Sequence, residues 1–136
     1  MSARQSINEF IEYQHHPEQD INEYVFHKSG RNVTTAWFEH LDIIVKAAIA
    51  AEADEIRFLV DVTQGGNRQQ VGHMFGHAKA LAKNNPNSPP RRYAVIGSSS
   101  SLGGILSPFM KMLRLKFRYF VESQGEAAIQ WLVDAE

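Results

Sequence analysis

The chain has 136 residues, 43% of them hydrophobic, no cysteine and a formal net charge of −1. That length and apolar content suit one compact domain spanning residues 1–136 and argue against disorder. The missing cysteines exclude disulfides, thiol nucleophiles and cysteine-ligated zinc.

No apolar run reaches the roughly 20 residues of a membrane span, and the N-terminus "MSARQSINEF" has no signal-peptide core. A cytoplasmic location is therefore expected. Charge is distributed unevenly: residues 1–62 sum to −6 and residues 63–136 to +5. Between Thr63 and Val121 lie nine basic residues and no acid. Such a stretch either forms a one-sided positive field or is neutralised when folding mixes the two halves.

"INEFIEYQ" (7–14) and "INEYVFHK" (21–28) read as strands around the turn "HHPEQD", an N-terminal hairpin. After the loop "SGRNVTT", Thr34 or Thr35 is a suitable N-cap for a helix from Ala36 to Glu52. Trp37, Leu41, Ile44, Ala48 and Ala51 fall at helical spacing there, widened by Phe38, Val45 and Ile49. "EIRFLVDV" (55–62) is a mostly buried strand. Val71, Met74, Phe75, Ala78, Leu81 and Ala82 predict a second helix, which the prolines of "NNPNSPP" stop. "RRYAVIG" (91–97) is a further strand. The loop "SSSSLGG" leads into a third helix over 102–115, with Leu102, Ile105, Leu106, Phe109 and Leu113 on one face. "FRYFVE" (117–122) and "GEAAIQWLVDA" are the last strand and a fourth helix, the latter with Ala128, Ile129 and Leu132 at core spacing. Strands alternating with helices imply right-handed crossovers: an α/β fold with a mainly parallel sheet, an antiparallel N-terminal hairpin and four helices.

"SGRNVTTAWFEHL", "IRFLVDVTQG", "RYAVIG" and "FRYFVESQGEAAIQWL" together resemble the STAS-like fold of anti-sigma-factor antagonists, more narrowly the SpoIIAA-like group. The last stretch is the most suggestive, with Phe117, Arg118, Phe120, Glu126, Ala127, Trp131 and Leu132 matching its pattern. The resemblance implies a binding domain, for a ligand or a partner, with no catalytic activity or cofactor to carry over. In the phosphorylatable antagonists it also implies a serine within an Asp-Ser-Ser-Gly turn at a helix start. Here "QGGNRQQVG" stands near that place, with no serine between Thr63 and Ser88, so that phosphoacceptor is not carried over.

Four places could carry chemistry. Asp61 and Thr63 end a parallel strand, where open α/β sheets bind ligands; alternatively they bond their own loop amides. Ser99, Ser100, Ser101 and Gly103 lie in a strand-to-helix turn able to cradle an anion, though without P-loop or dinucleotide spacing. His73 and His77, at i and i+4, could begin a metal site but lack the glutamate of H-E-x-x-H and need a third ligand; their wheel positions place them toward solvent. In "PFMKMLRLKFR" (108–118), Lys111 and Arg114 interleave with Phe109, Met110 and Met112, suiting a docked partner, a peripheral membrane contact or a basic rim around a core helix. The expected function is thus a non-enzymatic, bacterial-type regulatory or interaction module, possible as a homodimer. The alternatives are a carrier or sensor of a small amphipathic anion (a lipid or fatty acid) and a metal-dependent enzyme using His73 and His77. Nucleic acid is not an expected partner, because the pI is 6.6 and no recognition motif occurs.

Overall fold

A computed structural model describes residues 4–28, 30–64, 71–97 and 115–134, with the backbone alone at Arg31 and 71–73. The elements are β1 (Gln5–Asn8), β2 (Ile11–His16), β3 (Ile21–Phe26), α1 (Arg31–Ala50), β4 (Ile56–Asp61), α2 (Val71–Asn84), β5 (Arg91–Gly97), β6 (Lys116–Val121) and α3 (Gly125–Val133). A 3-10 turn, Glu122–Gln124, joins β6 to α3.

The six strands form one mixed sheet in sequence order. β1–β2 and β2–β3 are antiparallel, and β3 through β6 run parallel. Parallel neighbours joined by crossovers of one hand put those crossovers on one face. The main core accordingly sets Tyr24, Phe26, Phe58, Val60, Tyr93 and Val95 of the sheet against Val33, Trp37, Leu41 and Val45 of α1 and Leu81 of α2. On the other face Ile21, Leu59, Ala94, Ile96 and Phe120 pack on Ala128 and Leu132 of α3. β4 thus buries side chains on both faces, which is why it reads as an unbroken apolar run.

The predicted hairpin is present, but its first strand, expected as 7–14, breaks in two. The Asn8 carboxamide oxygen accepts the amides of Phe10 (2.8 Å) and Ile11 (3.0 Å) and closes a turn between β1 and β2. The first helix also begins five residues earlier than Ala36. Gly30 precedes it at φ +148°, ψ 169°, a conformation open to glycine almost alone. Thr34 and Thr35 are therefore inside α1 and not N-caps; the Thr34 hydroxyl donates back to the Gly30 carbonyl (3.0 Å). Ala51 and Ala82, expected in the core stripes, are exposed. Three α-helices stand among the described residues, and the helix expected over 102–115 falls almost wholly outside them. No helix of the described residues is long and apolar enough to cross a membrane.

Arg92 accounts for one basic residue of the acid-free stretch. It is 2% exposed, on the sheet face under α3. Its guanidinium donates to the carbonyls of Trp131 (2.8 Å) and Asp134 (2.9 Å) and lies over the Trp131 ring. A cation at the carbonyl end of a helix offsets the negative pole of its dipole. Arg118 similarly covers Phe120, and Lys79 covers Phe75.

Candidate functional site

The carboxyl ends of the parallel strands bring Phe26, Asp61, Gly97 and Val121 to one rim of the sheet. There one Asp61 carboxylate oxygen accepts both the Thr63 amide (2.9 Å) and the Thr63 hydroxyl (2.7 Å). The turn closes on itself, and the Val62 amide joins it to β5 through the Ile96 carbonyl (2.8 Å). Gln64, the next residue, meets Nδ1 of His27 at 2.6 Å, and His27 Nε2 meets a Glu12 carboxylate oxygen at 2.9 Å. The turn is therefore tied to the antiparallel half of the sheet as well. Ser99, Ser100, Ser101, Gly103, Phe109, Met110, Lys111, Met112 and Arg114 lie outside the described residues.

His77 is half-buried against α1, where its wheel position suggested solvent. Its ring stacks on Phe38 of α1 (centroids 5.3 Å apart, planes 17° apart), and Nε2 lies 3.3 Å from the Thr35 hydroxyl. The helix crossing turns this flank of α2 inward, which a wheel drawn for one helix cannot show. Only the backbone of His73 is described. Among the described residues no group of three His, Cys, Asp or Glu side chains is placed to hold a metal ion.

His77 instead helps wall a groove of about 440 Å³ between α1 and α2, lined also by Phe38, Glu39, Asp42, Ile43, Ala80 and Leu81. Ile43 projects beside it with 62% of its surface exposed. Two of the lining residues are held by Asn85, 4% exposed, which donates to Asp42 (2.8 Å) and to the Leu81 carbonyl (2.9 Å). Lys46 donates to both Asp42 oxygens (2.7 and 2.8 Å). These hydrogen bonds, Lys46 first and Asn85 second, hold the Asp42 carboxyl below its ordinary range. The groove was not foreseen. Its one sequence signal is the doubled isoleucine at 43–44, since a single core stripe uses only Ile44.

The described histidine side chains all engage neighbours of the fold. His15 meets Asp20 (2.9 Å) and His16 meets Glu23 (2.9 Å). His40 Nδ1 and the Tyr24 hydroxyl share a hydrogen bond (2.8 Å), and burial pushes the His40 pKa down and that of Tyr24 well up. Tyr13, its ring tilted against that of His40, donates to Asn22 (2.6 Å), and burial, reinforced by Asp20, pushes its pKa up to about 12. A second cavity, about 280 Å³, opens near that tyrosine between the carboxyl end of α1 and the loops below the sheet.

The SpoIIAA-like family profile matches residues 24–133. Searches of the curated proteins and of the solved structures returned no match. The match spans β3 through α3, which includes both walls of the groove and the Asp61–Gln64 turn, and on it the chain belongs to the SpoIIAA-like family.

Proposed function

We propose that this protein is a non-enzymatic regulatory module that works by binding a protein partner across the α1–α2 face. The observation that carries this reading is the Ile43 groove, an apolar side chain held in water beside a cleft with an aromatic floor. Large exposed apolar groups rimmed by polar residues mark contact surfaces. Glu39 and the Asp42 rim favour a partner segment that sets an apolar side chain between basic ones. The histidines support binding over catalysis, since those described are engaged in holding the fold together. Asp61, Thr63, Ser99, Ser100, Ser101, Gly103, Phe109, Met110, Lys111, Met112 and Arg114 are in this reading further candidates for partner contact, the second surface to be tested.

Affinity capture under native conditions tests it. Ile43→Arg should lose a stoichiometric partner with an unchanged melting temperature, because the side chain is already solvated. Capture equal to wild type sinks the groove. Lys111→Glu with Arg114→Glu asks the same of the second surface. The carrier reading rests on the interleaving of Lys111 and Arg114 with Phe109, Met110 and Met112; a native mass showing only the bare chain would remove it.

A further inference from the structure

His27 stands where the antiparallel and parallel halves of the sheet meet, one residue past β3. Its backbone is pinned by the amide bond to the Phe10 carbonyl (2.7 Å). Its ring spans two elements: Nε2 lies 2.9 Å from Glu12 on β2, and Nδ1 lies 2.6 Å from the Gln64 carboxamide oxygen after β4. Both partners are acceptors. A neutral imidazole has one N–H to offer, and only the charged ring can donate to both. Glu12, the stronger acceptor, keeps the proton on Nε2 when the ring is neutral. The Nδ1 lone pair then faces the Gln64 oxygen, so that bond is lost, and the carboxamide either withdraws or turns its NH2 inward to make a weaker, neutral bond.

We propose that His27 is a proton-controlled latch on the Asp61–Gln64 turn, clamping it to the hairpin through two charge-assisted bonds when charged and loosening it when neutral. The charged and titratable groups around the ring agree with this. Glu12 faces it from β2. Arg4, ahead of β1, opposes the charge but is itself drawn to Glu12 (3.6 Å) and Glu23 (3.5 Å). Lys28 is turned over the Phe10 ring, and one Asp61 oxygen accepts both the amide and the hydroxyl of Thr63. The His27 pKa is raised, first by the Gln64 bond and then by Glu12, against desolvation and Arg4. A raised value means the latch is closed below the folded-state pKa and opens as pH rises through it.

Side-chain nitrogen NMR of the full chain across pH 5 to 8.5, with amide exchange read over Val62–Gln64, tests this. Wild type should show His27 titrating above an ordinary histidine, and exchange at the turn should quicken severalfold above that pKa beyond the intrinsic pH effect. Gln64→Ala, at an exposed position, should bring the His27 pKa down toward ordinary. His27→Gln, which cannot titrate, should erase the exchange step. An unchanged His27 pKa in Gln64→Ala, or an exchange step that survives in His27→Gln, overturns the latch. Neither readout involves a partner, so this inference fails separately from the groove.

Discussion

At Gly97 the last residue of β5 has no room for a side chain: an added Cβ would overlap the hydroxyl and ring carbon of Tyr119 on β6. Gly97 pairs with Val121, and the Tyr119 ring reaches forward along the strand to cover it. Gly97→Ala should therefore force the ring aside and cost about 1–3 kcal/mol, the usual range for an overfilled site. In a Tyr119→Leu background the same substitution should cost clearly less, a coupling that urea denaturation of the four proteins would measure. Additive effects would mean that Tyr119 is not what excludes the methyl group. Asn85 poses the opposite case, a buried amide whose partners are all made. Asn85→Leu would strip Asp42 of one donor and the Leu81 carbonyl of another. A loss of about 1–3 kcal/mol is expected by thermal or urea melting, since unmet polar groups cost that much each. A loss of under a few tenths would show the network to be ornamental to α1–α2 packing.

Among the elements, the five strands and three helices expected within the described residues are all found, because each carries its period in the sequence. Phe58, Val60 and Val62 alternate with Leu59, and Ala128 and Leu132 sit one helical turn apart. What the sequence concealed was set by single residues working through geometry. Asn8 cut a strand by bonding two amides beyond it, and Gly30 started α1 early through a backbone conformation that composition does not display. The groove stayed hidden for a related reason: it belongs to the crossing of α1 and α2, and the pattern of either helix alone reports only the stripe that it buries. Arg92 was likewise legible as a charge and not as a cap. Its replacement by Met should release the end of α3, at a cost of about 2–4 kcal/mol for two carbonyls deprived of donors. The loss should show as faster amide exchange confined to 125–134. Exchange that quickens equally throughout the sheet would contradict the capping role.

Of the basic residues described between Thr63 and Val121, Arg92 is interior, while Lys79 and Arg118 are exposed and lie over the rings of Phe75 and Phe120. Over the whole molecule electrostatics acts through a few titrating groups that pull stability in opposite directions. His40 has its pKa lowered by burial below the ordinary 6.5. The unfolded chain then takes up the proton first, so this contribution is present above 6.5 and lost as pH falls. Asp42, lowered from 3.8, adds a further loss at stronger acidity. His27, raised above 6.5, contributes fully below that value, and its share is lost as pH rises through the folded pKa. Stability should therefore peak near neutrality and fall on both sides. Urea midpoints at about pH 5, 6.5 and 8 would resolve the two arms. His27→Gln should flatten the alkaline arm and leave the acid arm, while His40→Gln, which can still bond Tyr24, should flatten the arm between 6.5 and 5. If the alkaline fall persists without His27, the proton it holds is not what ties the Asp61–Gln64 turn to the hairpin.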